Sequence, residues 1–202
     1  MYLLTETASP FALERWAAFF ANFGQFAKGF FYTLGISIGA LIVALLLGLI
    51  FGAMSSTHNK VLRGISRVYV EIFQNTPLLV QFVVVFYGIS ILTDGHVMIP
   101  ISLTAILCVG VYTGAYISEI IRTGIEAVPK GQTEAALSQG FTYADTMRII
   151  ILPQAVRTIL PPLTNQVVNL IKNTSTVAII SGADIMFTTK AWAYDTTNYV
   201  PA

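Results

Sequence analysis

Charge is scarce in this sequence. Asp, Glu, Lys and Arg together make up 10% of the 202 residues, against roughly 25% in an ordinary soluble domain. With 55% hydrophobic residues and a mean hydropathy of +0.72, a soluble fold would expose apolar surface on a scale that drives association. Lipid is the solvent that removes this problem. The net charge is +1 with no basic cluster, which excludes nucleic acid as a partner. The single cysteine, Cys108, lies in an apolar stretch and can form no internal disulfide. No G-x4-G-K-[S/T] phosphate loop occurs, so ATP is not bound by that route. No Ser-His-acid set with compatible placement occurs either, so no catalytic residue is expected and an intramembrane enzyme is disfavoured.

Long uncharged runs stand where charge is missing. Crossing a hydrocarbon core of about 30 Å takes about 20 helical residues. Residues 29–54, 72–93 and 97–118 each meet that length without a charged side chain. A fourth candidate, 159–183, is interrupted by Lys172 and is expected to start at Pro161-Pro162, where proline costs a helix little. The fold class expected is therefore an all-α integral membrane protein, a bundle of at least four transmembrane helices. Residues 1–28 are not a signal peptide, because Glu6, Glu14 and Arg15 are scattered through them. Phe11, Trp16, Phe19, Phe20, Phe23 and Phe26 recur at near-helical spacing. They predict an N-terminal segment lying in the membrane interface, or else an extension of the first span. Residues 29–202 then form a single transmembrane domain.

Lys60, Arg63 and Arg67 fall between the first two spans, and Arg122, Lys130, Arg148 and Arg157 between the last two. The connection from Asp94 to His96 carries no Lys or Arg. Positive-inside asymmetry puts both basic loops in the cytoplasm and the N-terminus outside. His58 and His96 then lie on opposite sides of the membrane, so no paired metal site is expected. Gly35 with Gly39, Gly48 with Gly52, and Gly110 with Gly114 are spaced for close helix approach.

The loop from Val128 to Phe141 is the most informative segment. Pro129 and Gly131 are expected to stop the preceding helix, and Glu134–Gln139 to form a short cytoplasmic helix with an acid in its first turn. Gly140 sits where a left-handed cap wants glycine. Ala135 and Ala136 would present a smooth face to another protein.

Glu134-Ala135-Ala136, Gly140, Ile150 and Leu152-Pro153 together match E-A-A-x3-G-x9-I-x-L-P. This string resembles the "EAA" loop of the permeases of ABC importers, where it marks the coupling helix that docks on an ATPase subunit. Four further stretches resemble the branch that imports histidine, glutamine, glutamate, arginine and related polar amino acids. They are Gly29 to Leu34, Tyr69 to Gln81, and Ala115 to Glu119 with Leu170 to Ser175. Gln74 stands where many relatives carry arginine, which removes any guanidinium role there. The family pattern has five spans and this sequence stops at Tyr199-Val200-Pro201-Ala202, about where the fifth would begin. Either a final span is missing or the permease has four.

The resemblance implies a permease subunit in a bacterial cytoplasmic membrane, without cofactor or metal. It implies as partners a cytoplasmic ABC ATPase dimer, a second permease subunit, identical or paralogous, and an extracytoplasmic amino-acid-binding protein. Glu134, Ala135, Ala136 and Gly140 would couple it to the ATPase, and alternating access would move the cargo.

The residues of the fourth span add a pathway. Asn165, Asn169, Lys172, Asn173 and Thr176 recur at spacings of three and four and form one polar stripe. A lysine near mid-membrane costs roughly 2.5–3.5 kcal/mol on insertion scales, so such a residue faces a cavity or a partner. The stripe either lines the translocation pathway or holds helices together, with Lys172 paired or snorkelling. Glu71 and Glu119 are candidates for the pathway, but local pairing with Arg67 and Arg122 is the better account of both. Thr76-Pro77 predicts a kink inside the second span. An importer for another small solute remains a rival reading, as does a secondary transporter, which would need intramembrane coupling acids and inverted repeats.

Overall fold

Small residues every fourth position decide how this chain packs. The computed structural model describes residue 9 and residues 11–201. Residues 1–8 of the expected interfacial segment, Glu6 among them, and Ala202 lie outside the described residues. A short helix α1 (Leu13–Ala21) is followed across Asn22 by α2 (Phe23–Ser55), so the first span reaches further toward the N-terminus than its uncharged run. Ala40, Ala44, Gly48 and Gly52 form one buried stripe along α2.

Two amphipathic pieces follow, α3 (Lys60–Asn75) and α4 (Leu78–Val83), the latter running through a π-helical turn (Val84–Gly88) into α5 (Ile89–Leu92). Next is α6 (Ile101–Glu126), capped by Pro100. The α2 stripe lies against it. A Cβ on Gly48 would sit 2.4 Å from Ile117 Cγ2, and one on Gly110 would sit 2.7 Å from Val43 Cβ. Position rises along both helices together, so α2 and α6 run parallel and the α3–α5 segment must carry the chain back between them. Ala40, Ala44, Ala105, Val109 and Ile117 are at most 1% exposed and form the centre of the core with Phe82, Leu170, Val177 and Ile180.

The kink expected at Thr76-Pro77 is present, but as a full break, which corrects the expected single span over 72–93. The helix breaks at Thr76-Pro77, and the two halves, Lys60–Asn75 and Leu78–Leu92, meet at 97°. Proline forces extended backbone on the residue before it, and Thr76 adopts φ −100°, ψ 123°. The buried Gln81 side chain donates to Thr76 O at 3.0 Å and to Phe73 O at 3.2 Å. Those bonds satisfy carbonyls that an apolar medium would otherwise leave unpaired.

After α7 (Lys130–Ser138) and the single turn α8 (Tyr143–Asp145), a π-helical stretch (Thr146–Ile151) leads into α9 (Leu152–Asn173). Pro161 and Pro162 lie inside α9 and do not open it, which corrects the expected start near residue 159. A 3-10 stretch (Thr174–Ile180) completes the run before α10 (Ile185–Thr196). A Cβ on Gly124 would come within 2.3 Å of Ile159 Cγ1, and one on Gly182 within 3.3 Å of Ile101 Cγ2. Hence α9 runs antiparallel to α6.

By length and composition, α2 and α6 are apolar enough to cross a membrane, and the bent α3–α5 pair makes a third crossing if counted as one. At 22 residues α9 is long enough but too polar to count on composition. At the end where α10 lies, Arg15 donates to Thr197 O at 2.7 Å and to Asn198 Oδ1 at 3.0 Å. Phe19, Phe26 and Trp192 cluster beside it, with ring centroids 4.8–5.9 Å apart. Buried Asp184 caps α10 by accepting from Met186 N and Phe187 N, and burial pushes its carboxyl above the usual range.

Candidate functional site

Three groups of polar residues stand out, and the sequence anticipates residues in each. The first is α7. It begins at Lys130 behind Pro129, four residues earlier than expected. Gly131 is therefore inside the helix, and Glu134 lies beyond its first turn, which corrects the expected dipole role. The C-terminal end closes as anticipated. Gly140 has φ +86°, its N–H donates to Leu137 O at 3.0 Å, and Phe141 N–H reaches back to Ala136 O at 3.1 Å. This pair of bonds is a Schellman cap, which needs a residue free to adopt a left-handed conformation.

The two alanines part company. Ala135 is exposed, whereas Ala136 is 3% exposed and faces the chain's own bundle. The expected smooth two-alanine face is thus half outward and half a seat, on which α7 packs against the Thr146–Ile151 stretch. Glu134 is exposed and has no salt bridge among the described residues. Behind α7 a cleft of 740 Å³ is lined by His58, Tyr143 and Thr146 as well as Lys130 and Glu134.

The second group is the stripe on α9. Asn165, Asn169 and Lys172 are exposed, turned away from the core that Leu170 enters on the opposite face. Asn173 closes α9 and Thr176 falls in the 3-10 stretch; both are half-buried. The stripe therefore does not stay on one α-helical face throughout, because a 3-10 turn advances by three residues and not 3.6. Lys172 has no salt bridge among the described residues, so the expected alternative of pairing with an acid of this chain is not realised there.

The third group faces across α3 and α6. Arg67 Nε donates to Glu71 Oε1 at 2.7 Å, and Arg122 is held by Glu119 and, at 2.6 Å, by Glu126. Local pairing is what the spacings of Arg67 with Glu71 and Glu119 with Arg122 predict. The second carboxylate on Arg122 was legible in the same way, since Glu126 stands four residues on. Tyr69 Oη donates to Val111 O at 2.7 Å, Ser66 Oγ to Phe51 O at 2.7 Å, and Gln74 Nε2 to Ala115 O at 3.3 Å. These bonds tie α3 to its neighbours through backbone carbonyls, and no sequence pattern announces them. Among the described residues no cluster of His, Cys, Asp and Glu could hold a metal ion.

Comparison with known proteins follows the same lines. Residues 44–202 match the family described as the binding-protein-dependent transport system inner membrane component. The chain is 41% identical over 171 residues to a probable glutamine ABC transporter permease protein, GlnM, of Bacillus subtilis, covering 83% of this chain and 76% of that protein. It is 36% identical over 172 residues to the glutamate/aspartate import permease protein GltJ of Escherichia coli, covering 80% and 70%. Among solved structures, a chain of an amino acid ABC transporter crystallised with histidines superposes with a TM-score of 0.84 at 32% identity, covering 92% of this chain and 85% of that one. A chain of the MetNI methionine ABC transporter, at 18% identity and a TM-score of 0.71, shares the fold.

Proposed function

This chain belongs to the binding-protein-dependent transport system inner membrane component family, and from that premise we propose that it is the membrane-spanning permease of an ABC importer for a polar amino acid. The observation that carries the reading is the complete string from Glu134 to Pro153, which begins on α7 with an outward Glu134 and Ala135 and an inward Ala136 and ends where the Thr146–Ile151 stretch enters α9. A partner ATPase dimer would grip α7 from the cytoplasm. A second permease subunit would face the α9 stripe, and an extracytoplasmic amino-acid-binding protein would deliver cargo to the opposite end. The N-terminus would then lie outside.

The chain's own connectivity supplies a route for coupling. A displacement of α7 is transmitted through Ala136 to the Thr146–Ile151 stretch, which continues directly into α9. The same rod carries Asn165, Asn169 and Lys172. Lys172 suits a substrate carboxylate, and the asparagine carbonyls suit its ammonium group. Glutamine and glutamate, named for the relatives, present both charges.

The test is recovery of the native assembly from gently solubilised membranes, with Glu134→Lys alongside. The native chain should bring down a P-loop ATPase, and the variant should lose most of it while keeping its own fold. An intact native chain that brings down no ATPase would refute the coupling assignment. Ala136→Leu is unsuitable for this purpose, because it would unseat α7 from its own bundle.

A further inference from the structure

We propose that α3 holds an anionic phospholipid, its phosphate seated at Gly64 beside Lys60, Arg63 and Arg67 and its acyl chains along Val61, Ile65 and Val68. Such a site requires only a bilayer around the chain, whatever the cargo. Helix α3 carries three stripes, each spaced by three and four residues. Ser66 and Tyr69 are buried, with Phe73 half-buried on the same face, and Tyr69 stacks on Phe51 with ring centroids 4.0 Å apart. Val61, Ile65, Val68 and Ile72 form a second stripe that is 49–69% exposed. Lys60, Arg63, Arg67 and Glu71 form the third, also exposed. Only residues 56–59 separate α3 from the end of the α2 span, so Lys60 and Arg63 stand at the membrane boundary. A helix with an apolar face beside a basic one suits the level where acyl chains meet headgroups.

Gly64 lies where the two outer stripes meet. It is four residues from Lys60 and three from Arg67 on one side, and three from Val61 and four from Val68 on the other. A Cβ there would meet nothing within 4 Å. The helix therefore has a notch with cations along one edge and apolar side chains along the other. Lys60, Arg63, Gly64 and Arg67 also line one wall of the 610 Å³ cleft between α3 and α6, which gives a headgroup room. The charge balance selects an anion. Glu119 and Glu126 are engaged by Arg122, and Glu71 by Arg67, whereas Lys60 and Arg63 have no salt bridge among the described residues. The ammonium of a zwitterionic headgroup would meet two uncompensated cations and no spare carboxylate. The apolar stripe selects a lipid over a free anion, because phosphate alone leaves Val61, Ile65 and Val68 uncovered. Acyl chains cover them, and the long stems of Lys60 and Arg63 let their charges reach the phosphate.

The experiment adds an equimolar mixture of dioleoyl phosphatidylglycerol and dioleoyl phosphatidylethanolamine to the purified, detergent-solubilised assembly that contains this chain. Retained lipids are counted by native mass spectrometry. Phosphatidylglycerol should be retained in preference. Lys60→Gln combined with Arg63→Gln should weaken its retention by about twentyfold, since each basic residue near an anionic surface is worth about fivefold. Gly64→Leu keeps every charge and has open space around its Cβ, so it should fold and still expel the lipid by covering the notch. Arg157→Gln, which removes an exposed cation from α9, should change nothing. Equal retention of the two lipids by the wild-type assembly would overturn the proposal, and so would undiminished phosphatidylglycerol on the double variant. Full retention by Gly64→Leu would overturn the seat at the notch. Release of phosphatidylglycerol by millimolar inorganic phosphate would reveal a free-anion site and overturn the lipid assignment. None of these outcomes bears on recovery of the ATPase, so the lipid site and the proposed function stand or fall separately.

Discussion

Helices α2 and α9 are both long enough to cross a bilayer, yet they use their side chains in opposite ways. The stripe on α2 is made of alanine and glycine and is fully consumed by contact with α6. The stripe on α9 is made of asparagine and lysine and is left exposed by the single chain. In lipid, apolar surface does not drive helices together, so close backbone approach must do it. That is why α2 needs small residues where it meets α6. Polar groups in the same medium are tolerated only when satisfied. An outward polar stripe on α9 is consequently a statement about what lies beyond this chain.

The largest effect expected from breaking this comparison is at Gly48. A Leu there would drive side-chain atoms into Ile117, and α2 and α6 would have to separate. Overpacking of this kind costs about 1–3 kcal/mol or more. Gly48→Leu should lower the thermal stability of the purified protein sharply and reduce its recovery as a monodisperse species. Retention of wild-type stability would show that the two helices are not held at this distance.

On α9 the direction reverses. Lys172→Met removes a charge that costs roughly 2.5–3.5 kcal/mol on insertion scales, so stability should hold or rise. Uptake of the amino acid should nevertheless fall by about tenfold or more, the value of a lost charged hydrogen bond. A loss of stability with transport intact would place the stripe among the packing contacts.

The smallest effect is expected at Gly35, one turn from Gly39 on the same helix. Nothing lies within 4 Å of a Cβ at Gly35, whereas one at Gly39 meets Ile106 at 2.9 Å. Gly35→Ala should be neutral or should stabilise the helix by up to about 1 kcal/mol, through helix propensity. A marked loss would mean that a partner surface covers this face.

Much of the architecture was legible in the residues because lipid imposes strict rules. Uncharged length located α2 and α6, and Pro129 and Gly140 bracketed the short helix α7. Glycines 48, 52, 110 and 114 marked the close contact of α2 with α6. The errors have a common origin. Thr76-Pro77 marked a kink, but charge-free length could not show that α3 and α4 meet there at 97°, because the break is accommodated by Gln81, Thr76 and Asn75 side chains that bond carbonyls beside it. Likewise Pro161 and Pro162 read as a helix start, whereas α9 continues through them.

Composition and periodicity by themselves determined that this is a helical membrane protein, which helices pack tightly, and that a short helix stands in the loop from Val128 to Phe141. These follow from solvation and from local backbone preference, both of which act on neighbours in sequence. Only the tertiary structure decided that Ala136 is a seat while Ala135 faces outward, that Gln81 stabilises a broken span, and that Arg15 reaches Thr197 O. Each of those depends on which distant backbone atom a side chain meets, and that is set by the crossing of whole helices.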